Sequence, residues 1–442
     1  MSREMSRRGF IAATTAAGVG LTLTGAAPAA DKPALLGGKR VRTNGFQSWP
    51  IVAEPHEKAV MECVHTGRWY RGRSVEQFEE AYAKLNGAKY CVATSSGTSA
   101  LYSSLGALGV GPGDEVIVPP YTFVATVNVA LLHYAMPVFV DSDRETFLMD
   151  PRKLEAAITD RTAAIIPVHI GGYACDMDSI LAIANKRKVP VVEDACQAHL
   201  GQWRNRSLGT WGTSGCFSFQ VSKNLSSGEG GAILANDEAM ANKCYAFHNC
   251  CRRRNKASSN FTYDGGRSSN LRMTEFQGAL LLAQLAQLEQ RAQTRHENAL
   301  YLTSMLREIP GIIPAKMYDG CTRSAYHLYM FRYVPQEFAG LPRAKFLRAL
   351  GAEGISGSPG YGPLNKAAYI QDALNSRHYL KVYGKAAIDK WEERNRCPEN
   401  DKLCEEAVWF TQRMFLGPRS DMDDIAAAIR KIKAYASELA KA

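Results

Sequence analysis

The chain has 442 residues, 46% hydrophobic and 22% charged, which is long enough for two domains and is an ordinary globular balance with no internal repeat. Its formal charge of +10 is spread widely apart from Arg252–Arg254 with Lys256. No nucleic-acid motif accompanies that cluster, so it reads as a solvated loop or a contact for an anionic small molecule. The 11 cysteines include no C-x-x-C pair, which excludes the usual metal-finger spacings.

The first element is S-R-R-G-F-I (Ser6 to Ile11), followed by a soft apolar tract to Ala30 with small residues at Ala27-Pro28-Ala29. A charged start, an apolar middle and a small-residue end predict a cleaved export signal over residues 1–30. Arg7-Arg8 before Phe10-Ile11 resembles the twin-arginine type, which implies a periplasmic or other extracytoplasmic destination after folding. The alternative is a frayed terminal helix and a cytoplasmic protein. The tract is too weakly apolar to predict a spanning helix.

Val75, Phe78, Tyr82 and Leu85 then form one helical face closed by Gly87. Short apolar runs follow at Tyr90–Ala93, Glu115–Val118, Val138–Val140, Ala164–Val168, Val189–Val192, Cys216–Phe219 and Ala232–Leu234. Helical spacings stand between them, as at Leu101, Leu105 and Leu108 or Ile180, Leu181 and Ala184. This alternation predicts an α/β fold with a largely parallel sheet and helices on both faces. Ligands in such sheets collect at the carboxyl ends of the strands. Thr274-x-x-Gln277 resembles a capping box opening a long helix, and Pro310-Gly311 marks a boundary. A strand over Ser324–Tyr333 and helices around Arg343–Leu350 and Asp424–Leu439 then predict a smaller α+β domain. The expected division is a large domain over 31–310 and a small one over 311–442. Cysteines 91, 196 and 216 read as buried core, and Cys397 with Cys404 could form a disulfide in an oxidising compartment.

Two residues carry the chemistry. Asp194 ends the run V-V-E-D, and Lys223 follows the next strand closely, in F-S-F-Q-V-S-K-N-L-S-S-G-E-G-G. Pyridoxal phosphate chemistry needs this pair: a lysine to hold the cofactor as a Schiff base and an acid for the pyridinium nitrogen. Gly97-Thr98-Ser99-Ala100-Leu101 follows a strand and opens a helix, so its backbone N–H groups offer a phosphate seat. Taken singly, each has a plainer reading: a surface lysine, an aspartate at a helix N-cap, a Ser/Thr cap.

These motifs together resemble the DegT-type (StrS-like) sugar aminotransferases, which are fold type I pyridoxal phosphate enzymes. The resemblance runs from about residue 34 to the C-terminus. It rests on G-T-S-A-L, Gly111 to Thr126, P-V-V-E-D-A-C-Q-A-H (Pro190 to His199), the Lys223 segment, and S-N-L-R-M-T-E-F-Q-G-A-L (Ser269 to Leu280). It implies a seven-stranded, mostly parallel sheet sandwiched by helices, with a smaller C-terminal α+β domain. It implies that Lys223 holds the cofactor and moves the proton, and that Asp194 pairs with the ring nitrogen. Gln197 would bond the ring's 3-oxygen and Phe123 would stack on its face, unless Phe123 is plain core. Ser218 with the backbone of Thr98 and Ser99 would hold the phosphate. Asn270 would reach the cofactor phosphate of a second copy, making a homodimer with shared sites. Arg272 would hold an anionic group or a helix-entry salt bridge, and Tyr361 would touch substrate. The implied reaction moves an amino group from Glu or Gln to a ketone on a sugar or cyclitol. Family members with histidine in place of the lysine are dehydratases, and Lys223 argues against that here. The segments Ala34 to Gly38, K-N-L-S-S-G-E-G-G and Gly360 to Asn365 resemble members that aminate keto-cyclitols or make aminobenzoate precursors. Many nucleotide-sugar members have a histidine before the tyrosine matching Tyr361; Gly360 stands there instead and weakens the nucleotide-sugar assignment. A cofactor-binding but catalytically idle regulatory or scaffold protein is the reading from a different class.

Overall fold

The computed structural model describes residues 32–252 and 267–442. The expected signal segment and the cationic cluster beyond Arg252 lie outside the described residues. Strands Tyr90–Thr94, Gly231–Ala235, Ser214–Ser218 and Val192–Asp194 lie side by side in that order, and Met136–Phe139, Glu115–Val118 and Thr162–Ile165 form a second group. Parallel bridges from Ile165 to Val191 and from Val168 to Asp194 join the two groups. Gly231–Ala235 runs antiparallel to both of its neighbours, while the other pairings are parallel. Helices cover the sheet, so its strands read as unbroken apolar runs such as Val116-Ile117-Val118, each fully buried.

Strands Thr162–Ile165 and Ser214–Ser218 begin two residues before the expected Ala164 and Cys216, and two further strands are also displaced. They run Met136–Phe139 and Val192–Asp194 rather than Val138–Val140 and Val189–Val192. Pro190 explains the second shift: it has no N–H for the ladder, and only its carbonyl joins, accepting from Ile165 N at 3.0 Å. Asp194 therefore belongs to the strand as its last residue.

Helix Arg73–Asn86 buries Val75, Phe78 and Tyr82 and ends at Gly87 in the left-handed region (φ 66°). Leu85 is 39% exposed, because the buried stripe runs through Glu79, Ala83 and Asn86 instead. The long helix Glu275–Leu306 opens where Thr274 N donates to Gln277 Oε1 at 2.8 Å.

An antiparallel sheet of Ile312–Pro314, Leu328–Tyr333 and Ala407–Thr411, with helices Arg343–Ala352 and Ser420–Ala434, builds the C-terminal lobe. The chain crosses the expected boundary at 310 twice. Arg42 Nη1 bonds Asp421 Oδ1 (2.7 Å) and Asp424 Oδ2 (2.8 Å), and Glu353 accepts from Ala34 N and Val41 N, so the N-terminal segment sits on the C-terminal lobe. Conversely, residues 364–397 pack on the edge of the main sheet. Trp391 Nε1 donates to Pro137 O (2.7 Å), and Arg394 makes a bidentate pair with Glu115 (2.6 and 3.0 Å). Burial alone would raise the pKa of Glu115, but Arg394, Thr159 and Arg161 outweigh it and hold the carboxyl below its usual value.

The expected Cys397–Cys404 disulfide is not formed. Both thiols are free and buried, and Cys397 Sγ donates to Asn395 O at 3.5 Å. Cys397 caps helix Pro398–Glu406 and Cys404 lies inside it. A rise of about 1.5 Å per residue puts them about 10 Å apart, beyond disulfide reach. Among the described residues no helix is long and apolar enough to cross a membrane.

Candidate active site

Strands Val192–Asp194 and Ser214–Ser218 end at the floor of a cavity of about 790 Å3, walled on the other side by the C-terminal lobe. Lys223 lines it from a tight loop. Lys223 N bonds Gln220 O at 2.8 Å, and Asn224 Nδ2 ties the loop to Ala325 O at 2.7 Å. The Lys223 amine has no hydrogen-bond partner among the described residues. Burial holds its pKa below the usual lysine value, against the opposing pull of Cys196 and Asp194.

Asp194 is 5% exposed and turned into the same cavity. Thr126 Oγ1 donates to its Oδ2 at 2.8 Å and Cys196 N to its Oδ1 at 3.2 Å. Strand alternation sends the preceding Glu193 to the opposite face. There Glu193 accepts from Gly209 N, Trp211 N and Gly212 N at 2.7 Å each, and from His169 Nε2 at 3.0 Å. His169 Nδ1 accepts from Cys175 N, which leaves Nε2 as the donor. That buried network fixes the strand that carries Asp194.

The helix Gly97–Ala107 starts at the cavity, and Thr98 lines it. Ser96 caps the helix by accepting Ser99 N at 3.0 Å, and Ser99 Oγ bonds the hydroxyls of Ser95 and Ser96. The Ser99 amide is therefore used inside the turn, a correction to its expected role. Among the described residues Gly97 N and Thr98 N have no hydrogen-bond partner. A Cβ at Gly97 would lie 2.7 Å from Ser218 Cβ and 2.8 Å from Cys196 Sγ, so only glycine lets these walls close. Ser218 lines the cavity, and its carbonyl accepts from His199 Nε2 at 2.8 Å.

Gln197 accepts Gly171 N on its Oε1 (2.7 Å), which turns its NH2 end to Tyr361 Oη at 2.9 Å. Burial raises the Tyr361 pKa to about 12, so it stays a neutral hydroxyl. Tyr361 also packs edge-on against Trp409, with centroids 4.5 Å apart. Phe123 is 55% exposed and lines the cavity, so it is not core. Gly360 has φ 84°, and a Cβ there would meet Tyr121 Oη at 2.6 Å; no side chain fits before Tyr361.

Asn270 and Arg272 do not line this cavity. Asn270 is exposed on a bridge to Asn249, and Arg272 Nη1 donates to Asn249 Oδ1 at 2.9 Å. The cavity instead gathers Trp49, Cys196, His327, Gln412 and Arg413, which local sequence did not single out. Cys196 is thus a cavity residue rather than core. Thr126 did carry a signal, as the last residue of the Gly111 to Thr126 motif. Arg413 carried none, because nothing near it in sequence points to the Lys223 loop.

Comparison with known proteins identifies the family of the chain. The model of the DegT/DnrJ/EryC1/StrS aminotransferase family matches residues 50–430. The chain is 35% identical over 424 residues to an L-glutamine:2-deoxy-scyllo-inosose aminotransferase of Streptomyces lividus, covering 93% of this chain and 99% of that one. It is 38% identical over 349 residues to the spore coat polysaccharide biosynthesis protein SpsC of Bacillus subtilis, covering 76% and 89%. The solved structure of 3-amino-5-hydroxybenzoic acid synthase superposes with a TM-score of 0.77 at 29% identity, covering 90% of this chain and 100% of that one. The protein is an aminotransferase, and it belongs to the DegT/DnrJ/EryC1/StrS aminotransferase family.

Proposed function

We propose that the protein holds pyridoxal phosphate at Lys223 and moves the amino group of L-glutamine onto a ketone of a cyclitol. One observation carries this reading: a desolvated lysine amine, a doubly hydrogen-bonded carboxylate and a helix N-terminus with Gly97 N and Thr98 N free among the described residues converge on one cavity. The residues present fit the cofactor. Gly97 N, Thr98 N and Ser218 would hold its phosphate in the cradle that a Cβ at Gly97 would fill. Asp194 would face the ring nitrogen, Phe123 the ring and the NH2 end of Gln197 the 3-oxygen.

When bound, pyridoxal phosphate supplies an electron sink for the carbon that loses its proton. Lys223 Nζ takes that proton from the nitrogen-bearing carbon of the donor and delivers one on the acceptor's side. Its lowered pKa suits both directions, because an amine closer to neutrality is the better proton shuttle. Asp194 would pair with the ring nitrogen and favour its protonated form, while Thr126 Oγ1 and Cys196 N hold Asp194 in place.

The relatives named for glutamine and scyllo-inosose substrates support the donor and the cyclitol. The space at Gly360, closed to a histidine side chain, favours the same choice over a nucleotide sugar. Asn270, exposed and away from its own cavity, suits a homodimer in which it completes the neighbouring copy's phosphate site. Arg7-Arg8 supports export of the folded protein, and fractionation with Arg7→Lys and Arg8→Lys as the control tests it: a wild type retained in the cytoplasm refutes export.

The test of the function is spectroscopic. Purified protein should be yellow, bleach with L-glutamine and regain its colour with 2-deoxy-scyllo-inosose. A colourless wild type sinks the cofactor assignment, and a yellow protein that no amino donor bleaches points to the idle reading. Lys223→Ala should keep the fold and lose all transfer; residual turnover refutes the role of Lys223.

A further inference from the structure

One aromatic wall of the cavity has no task in the proposed cofactor seat. That seat uses Phe123, and Tyr361 is engaged by Gln197 and by Trp409. Trp49 also lines the cavity, half-buried, and its ring meets no other aromatic ring among the described residues. It is held in three ways. The segment that leads to it is pinned to the C-terminal lobe by Arg42, which bonds Asp421 and Asp424. Its Nε1 donates to Val221 O at 2.8 Å, two residues before Lys223. On the side of the long helix, Arg291 and Arg295, one turn apart, lie over its ring at 5.8 and 5.3 Å from the centroid. Arg295 is fully buried, its Nε donates to Gln412 Oε1 at 2.8 Å, and its Nη1 and Nη2 have no hydrogen-bond partner. The indole is the group that stabilises this desolvated charge. Fixed by its N–H and backed by two guanidinium groups, the ring has its remaining side for the cavity.

A rigid aromatic face recognises shape rather than charge. An uncharged cyclitol offers hydroxyls around its rim and C–H bonds on its faces. Where every hydroxyl is equatorial, each face carries axial C–H bonds alone and lies flat on an aromatic ring. An axial hydroxyl pressed onto that ring would lose its water and gain no partner, which is costly. We infer that Trp49 is the platform on which the acceptor cyclitol stacks, and that it selects rings whose hydroxyls are all equatorial. Trp49 thereby acts on the ketone half of the reaction, and the bond to Val221 O fixes the platform relative to the loop that carries Lys223. This rests on the proposed reading that the acceptor is a cyclitol, and it adds which cyclitols the site takes.

Calorimetric titration of the holoenzyme with inositols tests it without turnover, because they carry no ketone and cannot take the amino group. The probe is scyllo-inositol, whose hydroxyls are all equatorial; D-chiro-inositol, with an axial hydroxyl on each face, is the control. Wild type should bind scyllo-inositol more tightly than D-chiro-inositol. Trp49→Leu should weaken scyllo-inositol about three- to tenfold, the range of an aromatic contact, and level the two affinities. Trp49→Phe keeps an aromatic face without the bond to Val221 O and should retain part of the preference, which also serves if the leucine variant does not fold. Equal affinity of wild type for the two inositols, or no measurable binding of scyllo-inositol, overturns the inference. So does an equal loss for both in Trp49→Leu, which marks a merely structural role. Uridine diphosphate is the third probe: binding that Trp49→Leu weakens would mean that the ring stacks on a base, and overturns it as well. If glutamine fails to bleach the wild type, the proposed function fails, while the inositol preference still judges Trp49.

Discussion

Thr126 donates its hydroxyl to Oδ2 of Asp194 at 2.8 Å, tying the first turn of helix Ala125–Leu132 to the last residue of strand Val192–Asp194. The same hydroxyl pairs with Thr122 Oγ1 at 2.9 Å. Thr126→Val keeps the shape and removes the donor. Hydrogen bonds to charged groups contribute about 1.5–3 kcal/mol, so kcat should fall about tenfold or more while the unfolding midpoint moves little. An unchanged kcat would show that Cys196 N alone orients the carboxylate.

Acid should unfold the protein earlier than carboxylate titration would. Burial lowers the pKa of His199 from 6.5 to about 3, against the hydrogen bond to Ser218 that favours the charged form, and burial likewise takes His248 to about 3. Between 6.5 and 3 the unfolded chain binds protons that the folded one refuses, so stability falls as pH falls through that window. Guanidinium melts from pH 7 to pH 5 should show a steadily decreasing midpoint, with a shallower slope in His199→Gln. A midpoint that is flat or rises on acidification contradicts this account.

Gly360→Ala should be destabilising by about 1–3 kcal/mol. The backbone there is left-handed, and the added Cβ would stand 2.6 Å from Tyr121 Oη and 3.0 Å from Ala407 Cβ. Relief of that clash displaces Tyr361 from Gln197, so the cofactor's absorption band should shift as well. Denaturant unfolding and the visible spectrum read the two effects separately, and a neutral variant would refute both.

The proposed sharing of active sites between two copies predicts complementation. Lys223→Ala and Asn270→Ala should each be inactive or weak alone. Unfolded together and refolded, they should recover roughly a quarter of wild-type activity, because half of the dimers are mixed and each mixed dimer carries one intact site of its two. No recovery, with dimers present by sedimentation, excludes a contribution of Asn270 across copies.

Asp194 was legible in the sequence because it ends an apolar strand, whereas Lys223 stands in the loop after the next strand and was legible only from its motif. Strand-then-glycine logic likewise located the helix Gly97–Ala107, which opens just after strand Tyr90–Thr94. It could not say which N–H groups were free: the Ser96 cap that consumes the Ser99 amide depends on side-chain rotamers. Nor could it divide the lobes. Residues 34–42 and 364–397 pack far from their chain neighbours through pairs such as Arg42 with Asp421 and Arg394 with Glu115.

By itself the sequence determined the α/β class, the aminotransferase family and the roles expected of Lys223 and Asp194, because those rest on short-range patterns. Only the tertiary structure decided that Thr126 holds Asp194, that Gly360 admits no side chain, and that Arg413 and Gln412 face the same space as Lys223. These relationships join segments between 68 and 239 residues apart. Their geometry follows from how the long helix and the C-terminal lobe close over the sheet, which no local pattern encodes.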